Sequence, residues 1–165
     1  MTKDAKSIMK MISDNDVAFV DFRFTDPRGK WQHTAQTSSS VDEKVLEEGI
    51  MFDGSSIAGW KAINESDMNL KPDLNSAVLD PFTAQPNLIL FCDIIEPTTG
   101  KNYDRDPRST ALRAEQYVKS SGIGDTAYFG PEAEFFVFDD VKYKNEMNET
   151  SFKIDSAEGP YNTGK

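Results

Sequence analysis

Two glutamates separated by one residue, Glu132 and Glu134, are the side chains of this sequence best suited to chemistry. They lie in the apolar run GPEAEFFVF at residues 130–138, and we predict a buried strand over residues 126–138. Residues two apart in a strand share a face and lie about 6.6 Å apart along the chain. Two carboxylates at the edge of a core repel each other and resist desolvation, so a proton, an arginine or a cation must compensate them.

Divalent cations are the compensation that this pair of carboxylates favours. Hard cations prefer oxygen ligands, and two such ions side by side form a phosphoryl-transfer site. The alternative is that both acids lie in solvent at a sheet edge or in a purely structural network, since Glu-x-Glu is common on strands. The local pattern alone leaves both interpretations open.

A second unusual stretch, FDGSSIAGW, runs from Phe52 to Trp60. An acid, Asp53, and an aromatic residue, Trp60, flank a loop rich in glycine and serine. Such a loop suits the binding of a small cation. The alternative is an ordinary Asx or Ser turn with Trp60 packed on the domain.

Composition disfavours some classes of partner. The chain has 28 acidic and 18 basic residues and a net charge of −10, which disfavours nucleic acid or an anionic membrane as the main partner.

The only cysteine, Cys92, lies in an apolar run and is predicted to be a buried hydrophobic residue. A chain without an intrachain disulfide fits the cytoplasm. The only histidine, His33, is predicted to be structural or exposed. No apolar run reaches membrane-spanning length, and the N-terminus lacks a signal-peptide core.

The elements that must position these residues predict an α+β fold. In chain order they are a helix over 4–13, a hairpin of strands over 17–24 and 30–37, a helix over 41–48 that starts at a Ser40–Glu43 capping box and stops at Gly49, and strands over 78–79 and 88–95.

A second segment begins at Asp106, a good N-cap, followed by Pro107, a good first helical residue. The predicted helix ends at Gly122, the strand over 126–138 follows, and residues 142–165 are polar with no predicted element. A helix and one apolar strand cannot bury themselves as a domain. We therefore expect this segment to belong to a larger fold.

Four motifs together resemble bacterial-type glutamine synthetase. They are FDGSSI at 52–57, NESDM at 64–68, YDRDPRS at 103–109 and GPEAEFF at 130–136. They match in order and spacing, and the resemblance runs from about Val17 over nearly the whole chain. One departure is visible, since the family usually has proline between the two glutamates and this chain has Ala133. Alanine keeps the strand geometry.

The resemblance implies an N-terminal β-grasp domain over residues 14–100, followed by the start of the catalytic α+β domain over residues 106–165. The implied activity is ATP-dependent formation of glutamine from glutamate and ammonium through γ-glutamyl phosphate. It would take place in the cytoplasm, in a dodecamer of two hexameric rings of identical subunits. This chain alone is expected to be an inactive N-terminal part, because further metal ligands and phosphate-binding arginines of the family lie beyond it.

The resemblance also assigns roles to single residues. Glu132 would bind the metal that serves the nucleotide phosphates, and Glu134 the metal that serves glutamate and the phosphorylated intermediate. The metals would be Mg²⁺ or Mn²⁺, two or more per site. Asp53 would bind ammonium and remove its proton in the active site of the neighbouring subunit, close to Trp60. Gly130 would approach the nucleotide.

Two other functions stay open. One is a stand-alone β-grasp module that oligomerises, which the incomplete second segment disfavours. The other is a γ-glutamyl ligase that uses an amine in place of ammonia. Asp53 favours ammonia, since a bulky amine has less need of an acid that binds ammonium.

Overall fold

The computed structural model describes residues 2–62 and 66–162, and its chain divides into two compact units, Met1–Ala127 and Tyr128–Lys165. In the second motif, Asn64 and Glu65 lie outside the described residues. Within the described part no helix is long and apolar enough to cross a membrane.

The described part of the first unit is built on a seven-stranded sheet. Its strands are β1 (Phe19–Thr25), β2 (Trp31–Thr37), β3 (Ile50–Asp53), β4 (Asp67–Pro72), β5 (Val78–Leu79), β6 (Asn87–Glu96) and β7 (Lys101–Asn102). The order is β2-β1-β6-β4-β3, and both β5 and β7 pair with β6. Strands β1 and β6 run parallel, and the other pairs run antiparallel. The predicted hairpin of β1 and β2 is confirmed.

Three predicted helices form in this unit, and two of them start as the sequence indicates. They are α1 (Ala5–Asp14), α2 (Glu43–Glu48) and α3 (Pro107–Ser121). Helix α1 buries Ala5, Ile8 and Ile12, because apolar residues three or four apart share a helical face. Helix α3 is capped by Asp106 and ends at Gly122, which has a φ of 72°. The prediction of α1 is confirmed, and so is that of α3 with its cap at Asp106 and its end at Gly122.

The predicted start of α2 is wrong. The N-cap is Asp42, whose carboxylate accepts a hydrogen bond of 2.8 Å from the backbone N–H of Val45. Ser40 instead donates its hydroxyl to the carbonyl of Thr37 at 2.8 Å. The predicted stop at Gly49 is confirmed. Its φ is 89°, and a Cβ there would lie 2.3 Å from the carbonyl oxygen of Leu70, so only glycine fits.

The core of this unit lies between helices α1 and α2 and one face of the sheet. Alternate residues of β1 and β6, such as Phe22 and Leu90, are fully buried. Cys92 is also fully buried, and burial raises the pKa of its thiol. The prediction of a buried hydrophobic cysteine is confirmed. Strands β3, β4 and β7 were not predicted, because each is short or carries charged residues, and each is held by its neighbour in the sheet.

The second unit differs from its prediction in both parts. Residues 126–138 form no strand, and the side chains of Phe135 and Phe136 are 80% and 87% exposed. A strand needs a hydrogen-bonded neighbour, and in the described part of the chain residues 126–138 pair with none. The region predicted to lack elements contains a hairpin of β8 (Asp140–Glu146) and β9 (Glu149–Asp155), joined by the two-residue loop at 147–148.

Candidate functional site

Asp53 ends β3 and begins a single helical turn over Gly54–Ser56. Its Oδ1 atom accepts two hydrogen bonds from Ser55, one from the hydroxyl at 2.6 Å and one from the backbone N–H at 2.8 Å. Hydrogen bonds to a carboxylate favour its charged form, so the hydroxyl and then the N–H of Ser55 lower the pKa of Asp53. The side chain is exposed. The loop therefore presents an oriented anion to solvent.

Gly54 lets the loop approach β4 closely. Its backbone N–H donates to the carbonyl of Ser66 at 2.7 Å. A Cβ on Gly54 would lie 2.6 Å from the Cγ atom of Met68, which is fully buried. The glycine after Asp53 is thus required by packing, and it fixes the backbone next to the carboxylate.

An aromatic cluster supports the loop from the core of the unit. It consists of Phe24, Phe52, Trp60 and Tyr103, with ring centroids 5.2–6.1 Å apart between neighbours. Trp60 is 5% exposed, so its ring belongs to the core of the unit. Its indole N–H has no hydrogen-bond partner among the described residues. The proximity of Trp60 to an inter-subunit site stays a prediction.

The far end of the loop is bound by two residues that follow β7. The hydroxyl of Tyr103 donates to the carbonyl of Trp60 at 3.1 Å. The Nη1 atom of Arg105 donates to the carbonyls of Gly59 and Trp60, at 2.8 and 3.3 Å. Next to them, Lys61 pairs with Glu96, and its ammonium lies 5.2 Å from the centre of the Tyr103 ring.

A cleft of about 340 Å³ opens beside Asp53. It is lined by residues of β1–β4 and of the loop, among them Phe24, His33, Phe52, Asp53, Ser56 and Ile57. An ionised carboxylate beside aromatic rings and a hydroxyl is suited to a small cation. The Nδ1 atom of His33 lies 2.7 Å from the buried carboxylate of Asp21, and the imidazole is 64% exposed. This agrees with the prediction that the histidine is structural or exposed.

Glu132 and Glu134 belong to the second unit, where both are exposed. Across residues 2–62 and 66–162 there is no group of three or more histidine, cysteine or acidic residues that could hold a metal ion. Two carboxylates supply oxygen ligands of the right kind but only a minority of the six or so that such an ion takes. Their metal role stays a prediction. A Cβ on Gly130 would meet no atom within 4 Å, so nothing in its surroundings requires glycine. The approach of Gly130 to the nucleotide therefore also stays a prediction.

Sequence reasoning found Asp53 but missed the residues that support it. Ser55, Tyr103 and Arg105 all lie within the quoted motifs, yet no local pattern indicates that the last two bind carbonyls more than 40 residues away. Such contacts follow from the sheet order, which brings β7 and β3 into one sheet.

Two family models match adjoining parts of the chain. "Glutamine synthetase, beta-Grasp domain" matches residues 16–97, and "Glutamine synthetase, catalytic domain" matches residues 104–165. Together they account for most of the sequence, and residues 98–103, which contain β7, lie between the two matched ranges.

Individual proteins similar to this chain include two glutamine synthetases and one protein of another name. The chain is 62% identical to glutamine synthetase of Azospirillum brasilense, over 98% of this chain and 35% of that protein. It is 54% identical to a 3-hydroxylaminophenol mutase of Cupriavidus pinatubonensis, over 100% of this chain and 35% of that protein. The cryo-EM structure of Plasmodium falciparum glutamine synthetase matches with a TM-score of 0.68 and 25% identity, over 93% of this chain and 30% of that one. The chain thus spans about a third of the length of the curated relatives it matches.

Proposed function

The chain belongs to the glutamine synthetase family, and on that premise we propose that it forms the N-terminal part of a glutamate–ammonia ligase. Its first unit carries the β-grasp domain of that family. The proposed activity is that of the full-length protein, meaning a polypeptide in which these 165 residues are followed by a complete catalytic region. We also propose the domain limits 14–100 and 106–165.

The proposed reaction has two steps. The γ-carboxylate of glutamate attacks the γ-phosphorus of ATP, which gives γ-glutamyl phosphate and ADP. Ammonia then attacks the acyl carbon, and phosphate leaves. The first step replaces a poor leaving group with a good one, and it depends on positioning and charge neutralisation more than on covalent chemistry by the protein.

Asp53 is proposed to serve the second step. Ammonium has no lone pair and cannot attack until it loses a proton. An ionised carboxylate attracts the cation and can accept that proton. The single observation that carries this assignment is the carboxylate of Asp53, exposed beside a cleft and oriented by two hydrogen bonds from Ser55 that keep it in the charged form that attracts the cation.

Glu132 and Glu134 are proposed to hold the divalent cations of the first step, and Gly130 to lie at the nucleotide. Carboxylate oxygens are the ligands that Mg²⁺ and Mn²⁺ prefer. When bound, such cations neutralise charge on the transferred phosphoryl group. The spacing of the two glutamates supports this role, since two carboxylates separated by one residue supply the oxygen ligands that such cations take.

The proposed partners are glutamate, ammonium, ATP and identical subunits, arranged as a dodecamer of two hexameric rings. In this assembly the loop of Asp53 would serve the active site of the neighbouring subunit. The net charge of −10 argues against nucleic acid and anionic membranes as partners. A single buried cysteine is compatible with the cytoplasm, which we propose as the compartment.

The test is the substitution Asp53→Asn in the full-length protein, which keeps the shape of the side chain and removes its charge and its basic oxygen. We expect at least about a 100-fold loss of glutamine formation from ammonium, in the range that general acid–base catalysis contributes. Formation of γ-glutamyl phosphate, measured by trapping with hydroxylamine, should change by less than about 2-fold, because hydroxylamine is uncharged at neutral pH and carries its own lone pair. The matched control is Glu47→Gln, which neutralises an exposed acid on α2.

The same assay separates the alternatives. Equal loss with ammonium and hydroxylamine, or no loss with either, would contradict the proposed role of Asp53. Faster turnover with methylamine or a larger amine than with ammonium would identify a γ-glutamyl-amine ligase instead. Failure to form γ-glutamyl phosphate at all, with the unsubstituted full-length protein folded, would favour a module without ligase activity or another activity found in the family.

A further inference from the structure

The loop of Asp53 is attached at both ends, and the two attachments differ in kind. At its start the backbone of Gly54 is fixed against β4 by sheet packing. At its end the carbonyls of Gly59 and Trp60 are held by the side chains of Tyr103 and Arg105. We call these two side chains the carbonyl clamp.

We propose that the carbonyl clamp, Tyr103 and Arg105, positions Asp53 for the ammonia step. This inference rests on the role proposed above for Asp53. Neither clamp residue touches Asp53. They act through the backbone of the loop, by fixing where it returns to the domain.

The geometry of the clamp fits this role better than a role in general stability. One guanidinium nitrogen, Nη1 of Arg105, lies between two successive carbonyls, and the Tyr103 hydroxyl reaches the second of them. Gly59 has a φ of +88°, a conformation that favours glycine, so the chain turns at the point where the clamp binds. Arg105 is an exposed residue, and its hydrogen bonds to the carbonyls of Gly59 and Trp60 both end on this turn. Its loss would free the loop without opening the core.

The clamp also links two regions of the family fold. Asp53 lies within the part matched by the β-grasp family, whereas Arg105 lies within the part matched by the catalytic family, which begins at residue 104. Helix α3 starts two residues after Arg105. If the loop serves a neighbouring subunit, the beginning of one catalytic region would set the ammonium site of the next active site. The clamp would then be the connection between them.

The experiment uses Arg105→Met, Arg105→Lys and Tyr103→Phe in the full-length protein. Because a misplacement of about 1 Å can cost about 100-fold in rate, we expect Arg105→Met to lower kcat/KM for ammonium by about 10- to 100-fold. Trapping of γ-glutamyl phosphate with hydroxylamine should change by less than about 2-fold.

Arg105→Lys keeps the charge and should recover part of the loss. Tyr103→Phe keeps the ring and loses one hydrogen bond, so its effect should be smaller than that of Arg105→Met. Arg28→Met, which removes an exposed guanidinium from the β1–β2 turn, is the matched control.

A double substitution distinguishes positioning from stability. If Arg105 acts through Asp53, Arg105→Met should cause no further loss of ammonium use in the Asp53→Asn background, because coupled residues are not additive. A loss of the same size in both backgrounds, or an equal loss with hydroxylamine, would overturn the clamp and assign Arg105 a structural role. So would an unchanged kcat/KM for ammonium in the single variants. If Asp53→Asn itself spares ammonium use, it is the proposed function of Asp53 that fails.

Discussion

The loop of Asp53 and the segment of Glu132 and Glu134 carry acids of the same chemistry in opposite surroundings. Beneath Asp53 the rings of Phe24 and Trp60 are 4% and 5% exposed, whereas beside Glu134 the ring of Phe136 is 87% exposed. Every buried hydrophobic side chain in the described part of the chain lies between Ala5 and Tyr103. A loop site can thus be organised by its own domain. The residues around Glu132 and Glu134 have no such core beneath them in the described part of the chain.

This difference has a physical origin in hydrogen bonding. The loop of Asp53 satisfies its backbone through short contacts with β4 and with the carbonyl clamp. The apolar run over 130–138 would satisfy its backbone only by pairing with strands on both sides, as buried strands do. In the described part of the chain residues 130–138 have no strand partner, so their apolar pattern alone does not form a strand.

The largest expected effect compares one phenylalanine from each region. Phe22→Ala should destabilise the first unit by about 3–5 kcal/mol, because it removes a fully buried ring and leaves a cavity. Phe136→Ala in the same 165-residue chain should change stability by less than about 0.5 kcal/mol, because the ring is exposed. Urea unfolding followed by circular dichroism measures both. A large loss from Phe136→Ala would show that the second unit contains a core of its own.

The next effect concerns the metal-binding role proposed for the second region. Glu134→Gln in the full-length protein should lower ligase activity by about 100-fold or more, since even residues that only orient a metal ligand are worth about 10- to 100-fold. Part of the loss should be recovered by raising the concentration of Mg²⁺ or Mn²⁺. Glu115→Gln, on the exposed face of α3, is the control and should have little effect. Wild-type activity of Glu134→Gln at ordinary metal concentration would disprove the assignment.

The smallest expected effect tests how far local contacts determine the first region. Asp42→Ala should destabilise the chain by about 1 kcal/mol, because the aspartate caps α2. Ser40→Ala, at the position that the sequence pattern favoured, should cost less than about 0.5 kcal/mol, because its hydroxyl lies outside the helix. The midpoints of urea unfolding decide between them. The opposite order would restore the Ser40 capping box.

Elements with a local signal were predictable from the sequence. The apolar spacing of α1 and the caps of α3 are local, and so is the turn between β1 and β2, which places Gly29 at a φ of 83°. Strands β3 and β4 were missed because β3 has only four residues, β4 carries charged residues, and no local pattern shows that they pair with each other or that β4 pairs with β6. The strand over 126–138 was predicted from its apolar pattern, but a strand also needs a hydrogen-bonded neighbour, and residues 126–138 have none in the described part of the chain. The hairpin of β8 and β9 was missed because its residues are mostly polar.

The same limit applies to the candidate site. Asp53 could be singled out because an acid within a Gly/Ser-rich loop is a local feature of the sequence. The hydrogen bonds from Ser55 were also within reach, since a serine two residues after an aspartate often closes an Asx turn. The carbonyl clamp was not, because Arg105 meets Gly59 only after the sheet has formed.

The most direct test of the account mixes two inactive forms of the full-length protein. Subunits with Asp53→Asn and subunits with Glu134→Gln are combined during assembly, and mixing is verified by native mass spectrometry. If Asp53 serves the neighbouring subunit, some interfaces will join an intact Asp53 to an intact Glu134. We predict ligase activity well above the sum of the two parent assemblies. Activity no greater than that sum in verified mixed assemblies would contradict the account, since Asp53 would then act within its own subunit or not at all.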